Sequence, residues 1–153
     1  MAAESMGIGF LLSQLGAHAA AQFGTRVEAL GLTPPLVGVL RMISVQPGLS
    51  QQQLAGELGL LPSRVVAFVD ELEDRGLVTR TRGTRDRRVQ HLTLTSGGTA
   101  LLEEVRSVAA EHEAAFFEAL GPDERAQLED FLERLARSHQ LTPGVHPGYR
   151  TLR

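Results

Sequence analysis

LSQQQLAGELGLLPSRVVAFVDELEDRGLV, residues 49–78, is the stretch whose reading decides the architecture. Ser50 followed three positions later by Gln53 is a capping box, and Leu54, Ala55 and Leu58 give the short helix it opens a single apolar face. Gly59 stops that helix. Pro62, at a first-turn position, opens a second helix in which Val65, Val69 and Leu72 recur at i, i+4 and i+7, and Gly76 supplies its stop. Two short helices joined by a tight glycine-containing turn make a helix-turn-helix.

Downstream the period changes to two. Residues 77–82 read as a strand, 83–87 as a polar turn and 89–95 as a returning strand, hence a β-hairpin. Six arginines, Arg75, Arg80, Arg82, Arg85, Arg87 and Arg88, fall between positions 75 and 88, with Asp86 the one acid among them. After a Ser96-Gly97-Gly98 entry read as flexible, Leu101, Leu102, Val105, Val108, His112, Ala115, Phe116 and Ala119 line one helical face as far as the Leu120-Gly121 break. Pro122, Asp123 and Glu124 then start a last helix, expected to bury Leu128, Phe131, Leu132 and Leu135. The remaining residues, 141–153, are rich in Pro and Gly and are expected to be an extended tail.

Upstream, Ile8, Leu12, Leu15, Ala19, Phe23, Val27 and Leu30 step by three or four residues, the pattern of a long amphipathic helix. Gly31 ends it. Thr33 as N-cap and Pro34 at the first helical position start the next helix, which turns Leu36, Val39, Leu40 and Ile43 inward and closes at Pro47-Gly48. The first helix and the last two carry more apolar stripe than one small domain can cover, which calls for a second copy of the chain.

Bulk properties narrow the function classes. The 153 residues are 42% apolar with few aromatics, which suits packed helices rather than a β-sandwich. No cysteine is present, which removes disulfides, thiolate nucleophiles and thiolate zinc sites. The five histidines include no i, i+4 pair, so no metal site is expected. With no phosphate loop, nucleophile elbow or recognisable carboxylate pair, neither a catalytic residue nor a cofactor is expected. The N-terminus lacks a basic leader and an uninterrupted apolar span, so a cytoplasmic location is expected. A net charge of -3 opposes nucleic-acid binding only if charge is spread evenly, and here all fifteen basic residues are arginine, with six of them between positions 75 and 88.

Three strings in this order resemble the MarR family of transcriptional regulators: residues 49–78, TRDRRVQHLTLTSGG (84–98) and GPDERAQLEDFLERL (121–135). The resemblance spans roughly residues 7–140 and implies a mainly α fold with a small β-wing. A winged helix-turn-helix over 33–98 would be joined to a helical dimerisation region, 6–32 and 99–140. It further implies a homodimer that binds double-stranded DNA at a near-palindromic operator, acts as a repressor and is released by a small aromatic or lipophilic effector. Half-sites would lie about 10 base pairs apart.

The candidate contacts are specific. Ser63 and Arg64 sit near the start of the second reading helix, where base edges are closest, although they also read as a cap and a solvated side chain. Ser50, Gln51 and Gln52 open the first helix and serve either as phosphate contacts or as plain caps. In the hairpin the resemblance implies that Asp86 orients Arg88, the Asp-x-Arg element, with Arg82, Arg85 and Arg87 alongside; an ordinary charged turn is the other reading. Val66 and Ala67 depart from the hydroxyl or basic residues common in the family, so thymine methyl contacts, with Ala67 among them, or DNA shape would carry part of the recognition. His18, Phe23, Arg41 and Met42 are candidate effector linings that also read as ordinary interior or surface groups. The acidic total and apolar Val66 and Ala67 also suit a winged helix that binds protein and not DNA, a reading that salt dependence separates from the first.

Overall fold

The computed structural model describes residues 6–83 and 88–151. Among them the chain runs α1 (Gly7–Glu28), α2 (Pro34–Val45), α3 (Gln51–Leu58), α4 (Pro62–Asp74), β1 (Val78–Arg82), β2 (Gln90–Leu94), α5 (Ser96–Phe116) and α6 (Pro122–Ser138), and ends in a 3-10 turn, Pro147–Thr151. The order is that of a winged helix-turn-helix flanked by longer helices.

Local chemistry explains the boundaries. The capping box closes with both bonds: the Gln53 amide donates to Ser50 Oγ at 3.2 Å, and the Ser50 amide donates to Gln53 Oε1 at 2.9 Å. Gly59 ends α3 in the left-handed region at φ 64°, a conformation that costs glycine little. Thr33 holds the N-cap position of α2, but its side chain makes no capping bond, and Pro34 sets the first turn instead.

The core lies in the reading domain. Leu32, Leu36, Val39, Leu40, Ile43, Leu54, Leu58, Val65, Val69, Leu72 and Leu92 are essentially inaccessible, and Val27 joins them from the end of α1. Each such side chain contributes about 1.5–3 kcal/mol by leaving water. α1 packs along α5, and α5 also meets α2 and β2, so the long helices rest on this core at one end.

β1 and β2 pair antiparallel, with Val78 opposite Leu94, Arg80 opposite Leu92 and Arg82 opposite Gln90. The loop before α3 is stitched to the hairpin: the Gly48 amide donates to Leu92 O, and the Leu92 amide donates to Leu49 O, both at 2.9 Å. His91 Nδ1 donates to Gly48 O at 2.6 Å, which fixes the Nδ1–H tautomer.

Three expectations need correction. Ser96, Gly97 and Gly98 are not a flexible entry but the first turn of α5, capped by Thr95, whose Oγ1 accepts from the Gly98 amide at 3.0 Å. Gly98 presses on the chain entering β1 so closely that an added Cβ would lie 2.0 Å from Leu77 O. α6 buries none of its residues in a single chain, and Phe131 is 54% exposed, because nothing in one copy covers that face. The tail is not extended: it folds back so that Tyr149 Oη donates to Pro34 O at 3.1 Å and Arg41 donates to Gly144 O at 2.9 Å. Tyr149 can lie flat on α2 because residue 38 is glycine; a Cβ there would be 2.9 Å from the ring.

Candidate nucleic-acid interface

The apolar stripe of α4 determines which side of that helix faces outward. Val65, Val69 and Leu72 enter the core, so positions 63, 66, 67 and 70, spaced i, i+3, i+4 and i+7, turn away from it together. Ser63, Val66, Ala67 and Asp70 are all exposed. Arg64 is half-buried on the adjoining flank, which continues through positions 68, 71 and 75.

The starts of α3 and α4 and the descending limb of the hairpin enclose an open groove of about 480 Å³. It is lined by Ser50, Gln51, Gln52, Pro62, Val66, Arg88, Val89 and Gln90. Four of the expected contact residues, Ser50, Gln51, Gln52 and Arg88, are thereby brought to one concavity, with Ser63 and Ala67 on the outward side of the helix that borders it. Arg82 is exposed at the far end of β1, opposite Gln90. Arg85, Asp86 and Arg87 lie outside the described residues.

The arginine cluster does not act as one patch. Arg75 donates to Gly31 O at 2.8 Å and pairs with Glu71 at 3.6 Å, which ties the end of α4 to the α1–α2 turn. Arg80 pairs with both Asp70 and Glu73 of α4 and donates to Gln51 Oε1 at 3.0 Å. Burial alone would lower the Arg80 pKa, but hydrogen bonds and attraction from Asp70 and Glu73 outweigh it and raise it above the ordinary arginine value. Its charge is therefore secure and committed to partners within the protein. Alternation from Val78 already places Arg80 on the inward side of β1, the signal by which its role was readable.

A second feature lies between α1 and α5. His18 and Phe116 have ring centroids 6.2 Å apart, Phe23 and His112 6.1 Å, and His112 and Phe116 5.6 Å. His112 Nδ1 is buried with no hydrogen-bond partner among the described residues. Of the expected effector linings, His18 and Phe23 thus share one aromatic cluster. Arg41 and Met42 are engaged elsewhere, Arg41 by the tail carbonyl of Gly144 and Met42 in the core, with its Sδ accepting from Gln46.

Comparison with known proteins identifies the fold and the family. The MarR family model matches residues 32–89. The chain is 31% identical to the HTH-type transcriptional repressor Rv2887 of Mycobacterium tuberculosis, over 87% of this chain and 96% of that protein. Among solved structures, it is similar to the transcriptional repressor CouR bound to a 23-mer DNA duplex, with 36% identity, a TM-score of 0.75 and coverage of 86% and 94% of the two chains. CouR from Rhodococcus jostii RHA1 bound to p-coumaroyl-CoA matches at 33% identity and a TM-score of 0.70, covering 89% of this chain and 96% of that one.

Proposed function

The chain belongs to the MarR family, and from that premise we propose that it is a homodimeric repressor of transcription that reads duplex DNA with α4 and the hairpin and is released by a small effector. One observation carries the site assignment: the groove that gathers Ser50, Gln51, Gln52 and Arg88 beside the outward side of α4. The amides and side chains that open α3 suit phosphate oxygens, while Ser63 and the residues after it face base edges. Arg88, with Arg82 and with Arg85 and Arg87 close to it in sequence, suits the adjacent minor groove, where the family resemblance has Asp86 hold a guanidinium in one orientation.

Dimerisation uses the winged helix over 33–98 as reader and the flanking segments, 6–32 and 99–140, as the shared helical region. Ile8, Leu12 and Leu15 of α1 and Phe131, Leu132 and Leu135 of α6 are all exposed in one copy, the state expected of faces that interlock in a pair. The effector lodges at the cluster of His18, Phe23, His112 and Phe116, whose rings offer a flat ligand stacking surfaces and whose buried Nδ1 offers it a hydrogen bond. A CouR structure holds an aromatic acyl thioester, p-coumaroyl-CoA, which supports an effector of aromatic character.

This role needs no catalytic group, and we read the protein as a regulator and not an enzyme. No described helix is long and apolar enough to cross a membrane, and we place the protein in the cytoplasm with the duplex it reads. Selection of bound duplexes from a random pool, followed by a salt titration, tests the proposal. A near-palindromic site whose affinity falls steeply with salt is expected, with a log-log slope of about -0.9 per neutralised phosphate. Weak, salt-insensitive association with every duplex would instead favour a winged helix that binds protein.

A further inference from the structure

The outward side of the reading helix is apolar where base edges would be met. Between the hydroxyl of Ser63 and the carboxylate of Asp70, which Arg80 holds, the exposed positions of that side are Val66, 40% accessible, and Ala67. Pro62 stands beside Val66 in the groove and adds another surface that can neither donate nor accept through its side chain. Exposed valine on a small domain is unremarkable by itself; here it borders a groove whose other lining is Ser50, Gln51, Gln52, Arg88 and Gln90 with Val89 on the hairpin side, so that Val66 is the apolar side chain α4 itself brings there beside Pro62.

The major groove presents one alkyl group to a protein, the 5-methyl of thymine, and the polar code around it is made of donors and acceptors. A helix whose groove-facing centre lacks hydrogen-bonding side chains cannot tell guanine from adenine at that point, but it can tell a methyl from its absence. Val66 suits the task further because its branched side chain is stiff in a helix and enters the groove already ordered. Asp70, the nearest acid on the same side, does not stand unpaired toward the phosphates, because it is ion-paired with Arg80.

We propose that Val66 and Ala67 form a methyl-reading surface, so that the operator half-site is specified beneath the centre of α4 by the 5-methyl groups of thymine. The inference rests on α4 being the reading helix. It replaces a hydrogen-bond code at these positions with a contact code, and it assigns sequence preference to residues that carry no polar side chain.

Deoxyuridine supplies the test, since it keeps the pairing and every donor and acceptor of thymine and removes only the methyl. In the selected operator, thymines are replaced singly and then symmetrically in both half-sites, and affinity is measured for the wild-type dimer. At one or two positions per half-site the loss should be about fourfold per methyl, the worth of one buried carbon. Val66→Ala and the near-isosteric Val66→Thr should shrink that thymine-over-uracil ratio, whereas Arg88→Ala should weaken both duplexes alike. Val66 is exposed, so these variants are expected to fold, and circular dichroism checks it.

Selective binding that is indifferent to uracil at every position would overturn the methyl-reading surface while leaving α4 as the reader. A uracil penalty that survives both Val66 variants and Ala67→Gly would move the contact to other residues and overturn the assignment. Failure to bind any duplex in a salt-dependent way would remove the DNA-reading role itself.

Discussion

Arg80 of β1 is ion-paired with Asp70 of α4, and the same guanidinium also holds Glu73 and reaches Gln51 of α3. Three elements of the reader are therefore pinned by one side chain that is 13% exposed. The contact orients the hairpin against α4 and, in the proposed interface, pairs two acids that would otherwise face the duplex alone.

Arg80→Ala should lower stability by about 1 kcal/mol, the worth of charge-assisted bonds reduced because both carboxylates are more than a third exposed. DNA affinity should fall by more than stability accounts for, since Asp70 and Glu73 are released beside the duplex. Combining Arg80→Ala with Asp70→Asn should restore part of that affinity. Thermal melts and operator titrations check both statements, and a double variant no better than the single one would contradict the masking role.

Gly98→Ala should cost roughly 2–3 kcal/mol, because a Cβ 2.0 Å from Leu77 O forces the start of α5 away from the entry to β1. Gly97→Ala is the control. Its Cβ would meet its nearest neighbours at 3.6 Å, an ordinary contact, so its effect should be near zero or stabilising. Denaturant midpoints measured side by side decide the matter.

Tyr149 is the single tyrosine of the chain, so its ionisation can be followed by phenolate absorbance without interference. Burial raises its pKa above the ordinary value, an effect that the charge of Arg41 opposes in part. A pKa raised in the folded state means that the tail contact is at full strength below about pH 10 and is lost as pH climbs through the folded value. An absorbance midpoint above about 10 is expected for the wild type. For Gly38→Ala, whose new Cβ would strike the ring, the midpoint should shift back toward 10; equal midpoints would mean that the tail is not held as described.

Leu135→Arg places a charge on an α6 face that is 47% exposed in one chain, so it should leave the reader core folded. It should convert the dimer to a monomer by light scattering and cut operator affinity by at least tenfold, since one half-site remains engaged. A variant that stays dimeric with unchanged affinity would argue for a different interface.

Arg88→Ala should weaken binding across sequences and reduce the salt slope by about one, the signature of a lost phosphate or backbone contact. Equal slopes for variant and wild type would take Arg88 out of the interface.

Much of this was legible in the chain itself. The capping box at Ser50 and Gln53, the stop at Gly59, the i, i+4, i+7 stripe of Val65, Val69 and Leu72 and the switch to alternation after Gly76 are local patterns, and each reappears as an element within a few residues of its expected limits. Ser50, Gln51, Gln52 and Arg88 were singled out by residue type and position, and they now share a groove. Arg75 and Arg80 belong to the arginine-rich stretch 75–88 but not to the expected contacts, and they point to partners in α4 and the α1–α2 turn. Charge along a sequence does not say which way a side chain turns.

Periodicity, caps and composition are properties of neighbours in the chain, so the sequence alone determined the helices, the hairpin and the unusual apolar centre of α4. The tertiary structure decided which partners the inward-turned Arg80 and Arg75 hold, that Gly98 is a tight contact and not a flexible entry, and that the tail returns to α2 at Tyr149. Those outcomes depend on packing between residues distant in sequence, where one backbone atom or one ring excludes the alternatives that local pattern leaves open.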